Sequence, residues 1–429
     1  MGHGHAHFSA GSRAESGLES RREANRRRTI RKRAGWFLGL LLVPLGILSL
    51  IFMALLWPTG QHAEIPTGSP YATALGVSID TGEVRSVEEG SCQGTAVSAE
   101  GQPEASPDAP QCLIAMTQPD AGGAQVPLLI PPDITRHPGV QPGDTVRYVN
   151  LANVTAGGQG ANYVFMDFVR GAPMALLAAV YALVVVLVAR WRGLRALIGL
   201  AAAYAVLAFF ILPGLAEGKP GLLLGLVGAV VIMYGVLYFA HGVSARTSTA
   251  LIGTLAGLAM TAGLTLWATE ALHLTGAGDH NAYQLQSMSG QISLSGIITC
   301  GLIIAGLGVL NDVTITQSSA VWELYELAPE TSAKELFGSA MRIGRDHIAS
   351  TVYTIAFASA GASLPVLMLV MLYRLPLGDA LTSAELAEEA ARTLVGSIGL
   401  VLAIPVTTLV AVLVVKATGR RDGGQEVLA

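Results

Sequence analysis

With 429 residues of which 52% are hydrophobic and only 13% charged, the chain lies far from a soluble domain, where roughly a quarter of residues carry charge. This balance predicts an integral membrane protein of α-helical, polytopic type, and the net charge of -4 argues against a nucleic-acid partner. The three cysteines fit no metal-ligand spacing and no P-loop, GxSxG, HExxH or kinase-type set occurs, so neither an enzyme nor a bound cofactor is expected.

Residues 1–34 form a polar tail whose RREANRRRTIRKR run abuts the first apolar stretch. The positive-inside rule holds such a run in the cytoplasm, where it also meets anionic lipid headgroups. His3, His5 and His7 alternate near the start; a trio of this kind either binds a transition metal or belongs to an unstructured tail. Residues 35–57 are apolar between Trp36 and Trp57, the pattern of a spanning helix with interfacial aromatics, and are read as an uncleaved anchor.

From 58 to 168 the composition shifts to Gly, Pro, Ser and Thr with short β-type runs at 74–78, 112–117, 126–130 and 145–151. Strands separated by turn signals predict a small extracytoplasmic β-rich domain, an OB-like barrel or a sandwich, between helices 1 and 2. Gln141-Pro142-Gly143-Asp144 reads as a turn feeding the last of these runs. Cys92 and Cys112 both fall here and are expected to pair in an oxidising compartment, closing a loop worth on the order of 3 kcal/mol in the chain-entropy picture. No nucleophile-base pair or metal cluster occurs in this segment, which suits a structural or partner-binding module.

Residues 169–419 read as seven further spans, at 172–189, 194–215, 221–240, 247–272, 292–310, 348–372 and 393–415, making about eight in all. A cytoplasmic linker is expected at 323–347 and a cytoplasmic tail at 420–429. Arg190, Arg192 and Arg195, then Arg246, then Lys334, Arg342 and Arg345, then Lys416, Arg420 and Arg421 fall on the N-terminal side in this count, with Lys219 and Arg374 on the opposite short loops and Arg392 at the end of the acidic segment there. Asp167 and Arg170 flank the second span and are placed to pair. Gly221 with Gly225, and Gly253 with Gly257, have the small-xxx-small spacing of closely packed helices; Gly301, Gly306 and Gly308 fit either packing or a kink. The segment 382–392 reads as an acidic amphipathic helix at the interface.

Asp312 is the only formal charge between His280 and Trp322. Two placements fit it: just past the cytoplasmic end of a helix over 292–310, or within the bundle as a buried or cavity-lining acid. The uncharged run that follows it favours the second, and a carboxylate in hydrocarbon is expensive enough to imply a role. Asp312, Thr316, Ser319 and Glu323 follow helical spacing and form one polar stripe, with Asn311 beside it. Arg342, Arg345, Asp346 and His347, followed by Thr351 and Thr354, form a second stripe placed to face the first. Together these residues outline a candidate proton or cation pathway.

The blocks Tyr163-Val-Phe-Met-Asp-Phe-Val-Arg170, Arg190-Trp-Arg-Gly-Leu-Arg-Ala196, Ala240-His-Gly-Val-Ser-Ala-Arg-Thr247, the run from Gly308 to Leu324 around Asp312, and Arg342-Ile-Gly-Arg-Asp-His-Ile-Ala-Ser-Thr-Val352 resemble the YibE/F-like membrane proteins of bacteria. The resemblance implies a multi-pass bacterial inner-membrane protein and transfers no substrate or catalytic residue. A more distant similarity, an Asn-Asp in one span followed by an Arg- and Thr-bearing helix, is to proton-driven protein-export components of the resistance-nodulation-division type. Asn311 stands where a second acid would complete a two-carboxylate cage, so Asp312 is the lone carboxylate. The favoured reading is a secondary transporter using a proton or small ion; the alternative is a non-transporting scaffold or envelope-assembly factor that binds an envelope protein through its β domain. Besides the lipid bilayer, a homo-oligomer is among the expected partners.

The basic-loop alternation predicts that Met1 and Ala429 both face the cytoplasm and that 61–150 lies outside. Reporter fusions at Ala429 and within 61–150 are expected to give cytoplasmic and extracytoplasmic signals respectively; an extracytoplasmic signal at Ala429 contradicts the layout.

Overall fold

The computed structural model describes residues 36–60, 77–91, 111–130, 139–151, 163–278, 285, 291–374 and 376–419. The N-terminal tail with its histidines, the tail after 419 and Cys92 lie outside these residues, and so does the expected pairing of Cys92 with Cys112. Two compact units emerge, one of residues 64–185 and one of 1–63 with 186–429.

The smaller unit contains a closed five-stranded barrel of β1 (Ser78–Ser91), β2 (Gln111–Pro119), β3 (Val126–Ile130), β4 (Thr145–Asn150) and β5 (Tyr163–Phe168), in the order β1-β2-β3-β5-β4. All neighbours are antiparallel except β3 and β5. Closure depends on β1, whose first half pairs with β4 and whose remainder pairs with β2. The register slips between Val84 and Ser86, and the bulge bends the strand where it passes from one partner to the other. At Gly82, opposite both Pro119 and Val146, an added Cβ would stand 2.5 Å from the Gln118 carbonyl oxygen, so only glycine fits. Alternating inward residues, among them Val84, Ala115, Leu128, Ile130, Val146 and Tyr148, make the core. Burial first, and the nearby Asp80 second, push the Tyr148 hydroxyl up to about 12. The expected turn is present: the Gln141 N–H donates to Asp144 Oδ2 (2.8 Å), and Gly143 adopts φ 96.

Outside the barrel the chain is helical: α1 (Trp36–Leu55), α2 (Gly171–Ala216), α3 (Gly221–His241), α4 (Ala245–Ala271), α5 (Leu294–Leu327), α6 (Ala333–Ala362), α7 (Leu364–Leu372), α8 (Leu377–Leu381) and α9 (Ala384–Gly419). Six of the described helices are long and apolar enough to cross a membrane, or seven if the bent pair α6–α7 is one span. The expected count was about eight. The difference lies in α2, where the stretches expected as separate spans run on as 46 helical residues broken only at Arg190 (φ 54, ψ -133). A π-turn at Leu207–Ile211 precedes Pro213, whose ring cannot follow a regular helical turn.

Three expectations change in detail. The span read at 292–310 continues without interruption to Leu327, so most of the supposed linker at 323–347 is helix and the true connection is only 328–332. The span read at 348–372 bends by 62° at Ser363, next to Pro365. The acidic segment at 382–392 is mostly the first turns of α9 rather than a separate helix.

In the helical unit α4, α5 and α9 pack against one another, α3 packs on α5, and α6 lies on α9 and α5. Close approach is built from the glycines read from spacing. A Cβ at Gly253 would run into Thr407, one at Gly257 into Leu310 and Ala403, and one at Gly221 into the backbone of Gly296. Gly301 and Gly308 face open space, and α5 has no kink there. Helix α1 joins through Leu38 and Leu42, with Tyr234 donating to the Leu42 carbonyl (2.8 Å). At its end Lys219 donates to the carbonyls of Leu56 (3.1 Å) and Trp57 (2.6 Å), a cation on carbonyls left free by a helix terminus. Glu217 pairs with Lys219 (2.9 Å) and accepts from the Gly60 N–H (2.8 Å). Burial pushes the Glu217 carboxyl up, yet these bonds together hold it below its ordinary value.

Gly253→Ala and Gly221→Ala are expected to lower the thermal midpoint by several degrees, whereas Gly301→Ala, which adds its methyl to open space, leaves it unchanged or raises it slightly. Thermal scans of the purified variants check the contrast.

Candidate functional site

Helix α5 divides its polar residues between two faces. Thr314, Gln317 and Ser318 point into the bundle and are buried, as are Val313, Val321 and Trp322. Asp312, Thr316 and Glu323 point the other way and are exposed, with Ser319 half-buried. The expected stripe therefore exists as one face, but it is not the inward face: the Asp312 side chain is 69% exposed, not enclosed by the bundle. The physical reason is that the interior already has its polar contacts from short hydroxyl and amide side chains, which permit close helix packing.

Those inward contacts are specific. Thr254 of α4 and Thr314 of α5 share a hydroxyl–hydroxyl bond of 2.6 Å. Gln317 donates from Nε2 to the Ala340 carbonyl of α6 (2.9 Å) and to Thr408 Oγ1 of α9 (2.7 Å), so one amide ties three helices together. Ser318 donates to the Arg246 carbonyl (2.8 Å). Thr261, Thr407 and Thr408 return their hydroxyls to the carbonyl four residues earlier, which lets them sit in an apolar core with their donors satisfied.

Helix α6 runs beside α5 with Leu336, Ala340 and Gly344 turned inward. A Cβ on Gly344 would meet Ile404 and the Gln317 amide, so this glycine sets how near α6 comes. One turn farther, His347 arrives beside Asp312, with Nε2 3.6 Å from Oδ2. At that separation the two form an ion pair when the imidazole is protonated but not a hydrogen bond. Among the described residues His347 Nε2 has no hydrogen-bond partner, and neither does the buried Asn311 Oδ1.

The other expected residues divide as follows. Glu323 pairs with Arg246 (2.6 Å), joining the ends of α4 and α5 as a partly exposed clamp. Arg342 bonds Ser339 on its own helix, and Arg345 and Asp346 are exposed. Thr351 and Thr354 donate to the carbonyls of His347 and Ser350, so neither reaches Asp312 through its hydroxyl. Of the second stripe, the structure brings only His347 onto the first. The expected Asp167–Arg170 pair forms at 2.8 Å, and the Arg170 hydrogen bond leads the causes that hold the Asp167 carboxyl below its usual range.

Reading the sequence missed Gln317 and the threonine contacts. A signal was present: Thr247, Thr254 and Thr261 recur every seven residues, the period of one face of a packed helix. Among the described residues no group of three or more His, Cys, Asp or Glu is placed to hold a metal ion.

A family model described as YibE/F-like protein matches residues 177–417, which include α5, α6 and the Asp312–His347 pair. No curated protein and no solved structure matches the chain.

Gln317→Leu is expected to lower stability by about 1–2 kcal/mol, because the substitution removes two interhelical bonds and leaves the Ala340 carbonyl without that donor. Denaturant or thermal titration in detergent measures the loss.

Proposed function

The chain belongs to the YibE/F-like family, and from that premise and the site's geometry we propose that it is a secondary transporter of the bacterial cytoplasmic membrane, driven by a proton or another small cation. The observation that carries this reading is the approach of His347 to Asp312, the lone carboxylate of the long apolar part of α5. A carboxylate at membrane depth is costly, on the order of 3 kcal/mol at a helix centre, and marks an ion or proton path by default. Histidine is the side-chain type that exchanges protons near physiological pH, and here it stands next to an acid that binds it better when it is charged. A proton or cation arriving at the pair changes its charge and thereby the force between α5 and α6.

Support for the depth comes from the register. Ser318 meets the Arg246 backbone near the end of α4, and Asp312 lies about 9 Å of helical rise farther into the bundle. With Arg246 at the cytoplasmic surface, Asp312 falls inside the hydrocarbon on the cytoplasmic side. An eight-span layout with both termini in the cytoplasm fits α2 as two spans meeting at Arg190, since its rise of about 69 Å is more than twice the bilayer core. Arg190, Arg192 and Arg195 then sit at the cytoplasmic turn.

A second reading, that of a scaffold whose β domain binds an envelope partner, is favoured by the closed barrel with its own core, in keeping with an OB-like module. The two diverge at one substitution. In liposomes with a trapped pH dye, wild-type protein is expected to dissipate an imposed pH gradient and Asp312→Asn to fall to the protein-free rate while remaining folded. Unchanged dissipation in Asp312→Asn, or none in the wild type, contradicts the transport reading; a change in stability alone supports the scaffold.

A further inference from the structure

Two hydroxyls on α4 break the pattern that the buried threonines of the helical unit otherwise follow. Thr249, Thr254, Thr261, Thr299, Thr407 and Thr408 each donate to the carbonyl four residues earlier, and Thr247 and Thr314 find partners in Ser244 and Thr254. Thr265 Oγ1 and Thr269 Oγ1 are sealed from solvent, and neither makes a hydrogen bond among the described residues. Thr265 itself is 0% exposed. The two stand one turn apart on one face of α4, continuing the row of Thr254 and Thr261. Between them Ala268 joins a small apolar cluster with Ile298, Leu302 and Val395, which offers a hydroxyl nothing. A buried polar group left in this way calls for a partner. Packing also loosens at this level. Thr261 sits against Gly399, where a Cβ would collide with it; one turn on, Gly396 of α9 faces Gly306 of α5, and a methyl on either would make only ordinary contacts of 3.7–3.9 Å.

We propose that this end of α4 holds an ordered water molecule that bridges the Thr265 and Thr269 hydroxyls. The spacing suits one water rather than a direct bond. Side chains one turn apart hold their Cβ atoms about 5–6 Å from each other, too far for a hydroxyl–hydroxyl bond and close to twice the ~2.8 Å of one. Water both donates and accepts, so a single molecule satisfies two hydroxyls whose own donors are uncommitted. The lining decides against other occupants. Thr265 and Thr269 carry no formal charge and the nearest acid along the helix, Glu270, is exposed, so a cation here would lack a counter-charge. An acyl chain offers the hydroxyls no hydrogen bond. Thr269 lies two residues from the end of α4 at Ala271, which places the site toward the outlet of the span rather than at its middle. The core then closes on itself at Gly253 and Gly257 and is hydrated at its other end. The inference is independent of transport and of the Asp312–His347 pair.

The test is the sign and additivity of two nearly isosteric substitutions, read as thermal midpoints of the full-length protein in detergent. With the water in place, Thr265→Val and Thr269→Val each break the same bridge. Each is expected to lower the midpoint by a few degrees, and the double variant to fall no further than the lower single one. A rise in either single variant, the result of removing an unpaired hydroxyl from a site without water, overturns the proposal, and so does no change. A double variant that falls by the sum of the two shows each hydroxyl bonded separately, as Thr261 is to its own helix, and also overturns it. Exchanging sodium for choline in the buffer is expected to leave the wild-type midpoint unchanged; a drop that Thr265→Val abolishes assigns a cation instead. Independently of how the variants fold, an experimental map that resolves both side chains is expected to show a water peak within about 3.2 Å of each oxygen, and its absence there contradicts the bridge.

Discussion

The constraint on which the helical unit depends is the close approach of α4, α5 and α9, achieved with buried hydroxyl and amide groups such as Thr254, Thr314 and Gln317 hydrogen-bonded, while Thr265, Asn311 and Trp322 each keep a buried polar atom without such a bond among the described residues. In lipid the hydrophobic effect does not hold helices to one another, so association rests on packing and on hydrogen bonds between them. Here glycines supply the packing at Gly253 and Gly257, and threonines supply hydroxyls that bond either across the interface, as Thr254 does to Thr314, or back to their own helix. Gln317 then fastens α6 to this core. Because the inward faces are taken up by short side chains in tight contact, there is no room inside for a carboxylate and an imidazole. Asp312 is displaced to the outer face, and the partly buried His347 reaches it from α6, which Gly344 and Gln317 hold close to α5.

This division of labour gives the site its character. The tight interior resists movement, while α6 has fully buried residues only in its first half, its second half being held by the partly buried Ile348 and Ile355 and by the Thr393–Ser359 bond, and α7 has none. The bend of 62° at Ser363 separates them further. A change of charge at Asp312 or His347 therefore acts between α5 and a helix with fewer fully buried residues than α4, α5 or α9. The proposed transport cycle would use such a place, where a change of charge acts on a helix outside the tightest core.

Much of this was legible in the residues. The barrel runs at 126–130 and 145–151 were visible by alternation and turn chemistry, and Asp312 by its isolation in apolar sequence. The first barrel strand was not legible, because Ser78–Ser91 carries so many acids that it resembles a loop, and its structure comes from pairing with two partners at once. Helical periodicity placed Asp312, Thr316, Ser319 and Glu323 on one face correctly but could not say which way that face turns. An inward and an outward polar stripe have the same spacing; the choice is made by Gln317, Thr314 and Ser318 on the opposite side, whose partners come from helices far away in sequence. Likewise the charges of 323–347 suggested a linker, whereas the Ser332–Glu335 capping box starts a helix there.

The central claim is that Asp312 takes up and releases the proton or cation that drives the protein. Charge displacement on a solid-supported membrane measures this most directly. After a pH step, wild-type protein and Glu323→Gln are predicted to give the same transient current, since Glu323 is committed to Arg246, and Asp312→Asn is predicted to give none. A current of undiminished size in Asp312→Asn contradicts the account.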